Sequence, residues 1–158
     1  MKIPANGFTH AGKFHADDVF ATALLQILRP DIKITRGFVV PDGFDGIVYD
    51  VGYGMFDHHQ EPREYRANGV PYAAFGLLWR VVGAQLVGEH QARLMDENFI
   101  QPLDLNDNTG EQNSLACAMP SDFLTRCGTP RRIRTPAFSR LWPWQSRFWK
   151  TRSPAPTP

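Results

Sequence analysis

The amino-acid composition changes abruptly near residue 119, and this change limits the part of the chain that can form a folded domain. Residues 1–118 contain 9 Lys and Arg against 15 Asp and Glu, a net charge of −6, whereas residues 119–158 contain 8 against 1, a net charge of +7. The last 40 residues also hold 7 of the 13 prolines and 3 of the 4 tryptophans. Such different compositions predict a globular domain over 1–118 and a separate basic tail over 119–158.

The tail has no helical or strand period, and its recurring prolines predict a poorly ordered segment that packs little against the domain and is removed by limited proteolysis. We interpret it as an out-of-frame translation that follows a truncated domain. The alternative is a basic arm that binds single-stranded nucleic acid. In that case arginines such as Arg131 and Arg140 would contact phosphates, and Trp142, Trp144 and Trp149 would stack on bases.

The overall composition indicates a soluble cytoplasmic protein with no membrane partner. Hydrophobic residues make up 42% and charged residues 21%, as in ordinary globular domains. No apolar run approaches the roughly 18–20 residues that span a bilayer, and the N-terminus lacks the apolar region of a secretory signal. The two cysteines, Cys117 and Cys127, can form neither a disulfide framework nor a zinc site with the usual spacing.

Residues 1–118 alternate between strand and helix patterns. Strands are predicted over 3–9, 33–40 and 46–51, and helices over 19–28, 71–82 and 89–101. Asp17 or Asp18 can cap the first helix, Pro71 suits the first turn of the second, and Pro102 is expected to end the third. The alternation predicts an α/β fold with a mostly parallel sheet and helices on both of its faces.

Histidines and carboxylates are concentrated in the loops that follow the predicted strands. In chain order they are His10, His15, Asp17 and Asp18, then Asp50, then Asp57, His58 and His59, with Asp104 and Asp107 expected after the last helix. Parallel sheets bind ligands outside the carboxyl ends of their strands, so these groups should face one crevice. Each residue alone has an ordinary explanation, such as a turn or a helix cap, but this does not account for their concentration at strand ends.

Imidazole and carboxylate donors without thiolates suit manganese, iron, cobalt or zinc. The donors are too numerous for one tetrahedral ion. A pair of ions that share a bridging carboxylate and a hydroxide would use them all. Such pairs serve phosphoryl transfer, because they lower the pKa of the bridging water and neutralise phosphate oxygens.

The segments FTHAGKFHADD, VYDVG and FDHHQ, followed by a Leu-Asp-x-x-Asp-Asn element, resemble the MYG family of metal-dependent hydrolases and 3′–5′ exonucleases within the DHH phosphoesterase superfamily. The resemblance covers residues 6–118, and THxGxFHxD together with FDHHQ is a specific combination. Two departures stand out. Tyr53 occupies a position where glycine is usual, and nothing here matches the second, substrate-binding domain of that family.

The resemblance implies a role for each matching residue. The implied metal ligands are His10, His15, Asp17, Asp50 and His58, with Asp50 bridging two ions and either Asp104 or Asp107 supplying the last ligand. His59 would contact the substrate phosphate or act as a general acid, and Asp57 would orient the histidines. The implied cofactor is a pair of Mn²⁺ ions, with Mg²⁺, Co²⁺ or Zn²⁺ as alternatives.

The function implied is that of a metal-dependent phosphoesterase, of the 3′–5′ exonuclease type, that uses a two-metal-activated water on single-stranded RNA or DNA. The alternatives are a metal-binding fragment without turnover and a hydrolase of small phosphoesters of the pyrophosphatase type. A domain with a net charge of −6 does not attract polynucleotides by itself. We therefore expect this chain to bind Mn²⁺ but to hydrolyse phosphodiesters weakly or not at all.

Overall fold

A computed structural model describes residues 1–118, so the predictions for the tail over 119–158 lie outside the described residues. Three parallel strands form a sheet in the order β2-β1-β3: β1 (Asn6–His10), β2 (Lys33–Gly37) and β3 (Ile47–Val48). With the helices described below, this sheet confirms the predicted α/β class. All three strands are shorter than the sequence pattern predicts, and β3 is reduced to two residues.

Five α-helices and one π-helical turn accompany the sheet within the described residues. They are α1 (Ala16–Leu28), α2 (Ala74–Val87), α3 (Glu89–Met95), the π turn (Asp96–Ile100), α4 (Gln101–Thr109) and α5 (Ser114–Ala118). The expected helix end at Pro102 is wrong, because α3, the π turn and α4 follow one another without a break and Pro102 lies directly after the π turn, near the start of α4. Within residues 1–118, none of these helices has the length and apolar character that crossing a membrane requires.

The starts of the first two helices also differ from the prediction. Helix α1 begins at Ala16 and its N-cap is His15, so Asp17 and Asp18 do not cap it but lie buried in its first turn. Helix α2 begins at Ala74 instead of Pro71, because Pro71 pairs in a short antiparallel bridge with Tyr65 and is therefore extended.

The hydrophobic core joins α1 and α2 to the sheet. Phe8 in the central strand and Leu25 in α1 are almost completely buried. The ring of Phe20 stacks on Phe75 at a centroid distance of 5.6 Å and meets Phe99 edge-on at 5.1 Å. Because α1 is held between these neighbours, its first turn keeps a fixed position next to the carboxyl end of β1.

Gly46 lies against the backbone at the start of β1, where a larger side chain has no room. A Cβ atom at this position would lie 2.5 Å from the backbone carbonyl oxygen of Asn6, which cannot move without disturbing β1. We expect Gly46→Ala to lower the free energy of unfolding by about 1–3 kcal/mol in urea denaturation.

Gly54→Ala is the matched control. Gly54 has open space around its Cβ direction, and its φ is not in the left-handed region. The free energy of unfolding of the Gly54→Ala variant should be unchanged or higher by up to about 1 kcal/mol. Equal effects of the two substitutions would contradict the close approach at Gly46.

Candidate metal centre

The candidate site lies at the point where the strand order of the sheet reverses. The central strand β1 has β2 on one side and β3 on the other, so the chain leaves the sheet in opposite directions after β1 and after β2. Parallel sheets bind ligands at such a switch point. His10 is the last residue of β1, and Asp50 follows β3 by two residues. The strand order thus brings these two side chains to the same edge.

Asp50 is the buried centre of the cluster. Its φ of +57° lies in the left-handed region, which Asp tolerates better than most residues, and its N–H donates to the carbonyl of Phe56 at 2.9 Å. Its Oδ2 lies 3.0 Å from Nε2 of His10, and its Oδ1 lies 3.3 Å from Nδ1 of His58. The two oxygens therefore contact imidazoles from two different loops.

His10 is held in the form that presents Nε2 to the cluster. Its Nδ1–H donates to the carbonyl of Ala11 at 2.9 Å, and its Nε2 lies 2.8 Å from Oδ2 of Asp18. Burial lowers the pKa of His10, but the carboxylates of Asp18 and Asp50 outweigh burial and raise that pKa to about 10. A bound cation would replace the proton that this imidazole otherwise holds.

Asp107 connects two histidines on the other side of the cluster. Its Oδ1 lies 3.3 Å from Nδ1 of His15, and its Oδ2 lies 2.9 Å from Nε2 of His58. Burial raises the pKa of Asp107, but the two imidazoles outweigh burial and hold that pKa well below its usual range. Helix α4 thus contributes a ligand candidate to the loops that precede α1 and follow β3.

Asp17 is the least compensated charge in the described part of the chain. Its side chain is completely buried, and neither carboxylate oxygen has a hydrogen-bond partner. Burial and the nearby carboxylates of Asp50 and Asp107 raise the pKa of Asp17 well above its usual range. A buried carboxylate without a partner is costly, and a cation next to Asp17 and Asp107 would remove that cost.

Buried polar atoms without hydrogen-bond partners are rare in proteins, yet within the described residues most of them belong to the predicted ligands. They are Oδ1 and Oδ2 of Asp17 and Asp50, Oδ1 of Asp18, Nε2 of His10, Nδ1 of His58 and Oγ1 of Thr9. The short imidazole–carboxylate contacts described above lack hydrogen-bond alignment at these nitrogens. Carboxylate oxygens and imidazole nitrogens that face each other without a hydrogen bond could instead act as ligands of a cation placed between them.

Three overlapping groups of residues could each hold a cation, with one ligand atom from every member within 4.8 Å of the others. They are Asp50 with Asp57, His58 and His59; His10 with His15 and Asp50; and His15 with Asp17 and Asp107. Asp50 and His15 each belong to two groups, so neighbouring cations would share ligands. The residues present therefore fit a pair of divalent ions.

His59 differs from the other histidines because it is about half exposed. Asp57 accepts a hydrogen bond from Nδ1 of His59 at 2.7 Å and from the N–H of Tyr53 at 2.7 Å. Burial raises the pKa of Asp57, but these bonds outweigh burial and lower that pKa to about 2. The same contact with Asp57 raises the pKa of His59. Asp57 thus orients His59 and favours its protonated form.

Comparison with known proteins decides the family. The model of an uncharacterised protein family, UPF0160, which carries the label MYG1 exonuclease, matches residues 7–126. The chain belongs to this family. No curated protein and no solved structure matches it. The family label indicates a nuclease, and the matched range includes every residue of the three cation-binding groups and extends past residue 118.

Asp104 is the one proposed ligand that this MYG1-family structure places outside the cation-binding groups. Its Oδ2 accepts a hydrogen bond from Nη2 of Arg66 at 2.7 Å, and its Oδ1 accepts one from the N–H of Gly76 at 3.2 Å. Burial raises the pKa of Asp104 to about 7 against the opposing effect of Arg66. Of the two alternatives for the last ligand, only Asp107 lies with the histidines.

Arg66 is a site-supporting residue that sequence reasoning missed, and no sequence motif marks it. Its Nη2 donates to Asp96 of the π turn at 2.6 Å as well as to Asp104 of α4, and its Nη1 donates to the carbonyl of Pro71 at 2.9 Å. Arg66 thus ties its own loop to the π turn and to α4.

Asp18 belongs to the cluster that the sequence predicts, but its role differs from the predicted helix cap. It contacts His10 and Arg36 instead of capping α1.

Divalent metal should stabilise this chain through Asp50. At a Mn²⁺ concentration about 100 times Kd, binding contributes about 2.7 kcal/mol, and the melting temperature should rise by at least about 5 °C. Asp50→Asn should abolish this rise, whereas Asp42→Asn, in an exposed turn, should keep it. Because His10 must lose its proton, the affinity for Mn²⁺ should increase with pH. A full Mn²⁺-dependent rise in the Asp50→Asn variant would contradict the bridging position.

A matched pair of substitutions distinguishes the ligand from the supporting carboxylate. Asp107→Asn should weaken Mn²⁺ binding at least about tenfold in a titration followed by electron paramagnetic resonance, because it removes charge next to His15 and His58. Asp104→Asn should instead lower the free energy of unfolding by about 1–3 kcal/mol, because it weakens the buried contact with Arg66. The reverse pattern would assign Asp104 as the ligand.

Proposed function

We propose that this chain is the metal-binding part of a two-metal phosphoesterase of the 3′–5′ exonuclease type, a member of the DHH superfamily. The observation that carries the proposal is the position of Asp50, whose two buried oxygens contact His10 and His58 from different loops without hydrogen bonds. The family label, MYG1 exonuclease, supports the same reaction class.

Asp50 would be shared by the two ions. His10 and His15 would complete the first set of ligands. Asp17 and Asp107, which form a group with His15, and His58, which adjoins both Asp50 and Asp107, would complete the second. Imidazole and carboxylate donors favour Mn²⁺, with Mg²⁺, Co²⁺ and Zn²⁺ as alternatives. When bound, such a pair of cations supplies a hydroxide nucleophile near neutral pH and neutralises the phosphate oxygens.

His59 would act on the substrate directly. Its Nδ1 is bonded to Asp57, so Nε2 is the nitrogen left to hold or transfer a proton. The contact with Asp57 raises the pKa of His59, so the protonated imidazole is favoured. A protonated His59 can donate to a phosphate oxygen or to the leaving oxygen. Asp57 positions this imidazole and does not itself meet the substrate.

We propose single-stranded RNA or DNA as the substrate of a cytoplasmic enzyme. Residues 1–118 carry a net charge of −6, which favours weak binding of a polynucleotide and therefore weak turnover. The second candidate is a hydrolase of small phosphoesters such as pyrophosphate, whose binding would need the metal centre alone and no extended contact with the acidic surface around it. A metal-binding chain without turnover is the third.

A nuclease assay with the chain in excess over a labelled single-stranded pentanucleotide tests these candidates. We expect slow release of mononucleotides with Mn²⁺, and none with EDTA or with Asp50→Asn. At saturating Mn²⁺, His59→Asn should lower the single-turnover rate about 10²- to 10⁴-fold, because it removes the proton donor. His90→Asn, at an exposed position on α3, is the control and should leave this rate unchanged.

The same assay with pyrophosphate separates the alternatives. Faster release of phosphate from pyrophosphate than of nucleotides from the oligonucleotide would favour the small-phosphoester hydrolase. Tight Mn²⁺ binding with no hydrolysis of either substrate would identify a non-catalytic metal-binding chain. An unchanged rate for His59→Asn would refute the role of His59 as proton donor.

A further inference from the structure

The most exposed large apolar side chains of the described residues lie in only two loops. They are Phe38 and Val39 after β2, and Tyr53 and Met55 after β3, with 68–80% of each residue exposed. We call these four residues the apolar rim. Where exposed apolar side chains lie together, they mark a binding surface.

The first half of the rim adjoins the loop that carries His10. Gly37, which precedes Phe38, pairs with His10 in the sheet and accepts a hydrogen bond from the N–H of Ala11 at 2.9 Å. A Cβ atom built on Gly12 would lie 3.8 Å from Cε1 of Phe38. The Phe38 ring therefore lies beside the turn between His10 and His15.

The second half adjoins the loop that carries the other histidines. The N–H of Tyr53 donates to Oδ2 of Asp57, the residue that orients His59. A Cβ atom built on Gly52 would lie 2.8 Å from Cγ2 of Val40, so the loops after β2 and β3 are in contact. Both halves of the rim thus belong to one edge of the sheet, next to the candidate metal centre.

One exposed basic residue lies at the same edge of this acidic domain. Lys13 is exposed in the turn that Phe38 adjoins, and Nη2 of Arg36 lies 3.5 Å from the carbonyl of Lys13. Arg36 itself is paired with Asp18 at 3.1 Å and lies 3.9 Å above the ring of Phe14, so it supports this turn and leaves Lys13 as the charge that faces solvent. An exposed basic group beside exposed aromatic rings is typical of surfaces that bind single-stranded nucleic acid.

We propose that the apolar rim is a nucleobase platform, on which the terminal base of a single-stranded nucleic acid stacks against Phe38 and Tyr53 while its phosphate occupies the metal centre. This inference rests on the proposed function and gives its substrate class. A phosphodiester at the centre must lay its sugar and base against the surrounding loops, and the flat rings offer every base the same stacking surface. Lys13 would supply positive charge for the neighbouring phosphate. A bare pyrophosphate would leave the rim exposed.

Binding of nucleotides and of a base-free analogue tests the platform. The probes are AMP, dAMP and ribose 5-phosphate, titrated by calorimetry into the Mn²⁺-loaded chain. AMP and dAMP should bind more tightly than ribose 5-phosphate, and any difference between AMP and dAMP separates RNA from DNA. Phe38→Ala and Tyr53→Ala should each weaken nucleotide binding about tenfold, the loss expected for one stacked ring, without changing the affinity for ribose 5-phosphate or Mn²⁺. Tyr65→Ala, another exposed aromatic, should have no effect.

Several outcomes would overturn the platform and leave the proposed function standing. One is equal affinity for AMP and ribose 5-phosphate, and another is nucleotide binding that neither substitution changes. Failure of every probe to bind although Mn²⁺ binds is a third. Light scattering adds a fourth, in which a dimer becomes monomeric in Phe38→Ala, so that the rim is an interface between copies. Failure of Mn²⁺ itself to bind would instead refute the proposed function and the platform with it.

Discussion

Burial of negative charge is the constraint on which this structure depends. Five carboxylates of the described residues are almost completely buried: Asp17, Asp18, Asp50, Asp57 and Asp104. Removing a carboxylate from water costs several kcal/mol unless a partner replaces the lost hydration, so these groups require an organised set of positive partners. The imidazoles of His10 and His59, the guanidinium groups of Arg36 and Arg66, and the proposed cations are those partners. The positions of these partners determine how the loops and helices are arranged around the edge of the sheet.

The buried carboxylates are compensated in two different ways. Asp104 has a permanent partner, since Arg66 and the N–H of Gly76 bond both of its oxygens. A Cβ atom on Gly76 would lie 1.9 Å from Oδ2 of Asp104, so only glycine allows this approach. The side chains of Asp17 and Asp50 have no hydrogen-bond partners, and the proposed cations would compensate their charges. The first kind of compensation holds α4 in place, and the second would make the stability of the site depend on metal.

Backbone strain occurs close to Asp50, one of the carboxylates without hydrogen-bond partners. Both Asp50 and Tyr53 adopt a left-handed φ, of +57° and +56°, within four residues of each other. This bend lets the N–H of Tyr53 reach Asp57, which in turn orients His59. Glycine at the Tyr53 position would adopt this conformation without cost. Unfavourable backbone conformations of this kind persist where the surrounding contacts determine them, and they are concentrated at functional sites.

The sequence by itself determined the fold class and the neighbourhood of the site. Alternating periods predict parallel strands, and residues such as His10 and Asp50 at their carboxyl ends must then meet at one edge. Only the tertiary structure decided which of Asp104 and Asp107 joins the histidines. The two lie one helical turn apart in the same motif, and the choice depends on where α4 packs, which Arg66 sets from a distant loop. Local patterns encode periodicity, whereas the partner of a buried charge is decided by contacts between elements far apart in the chain.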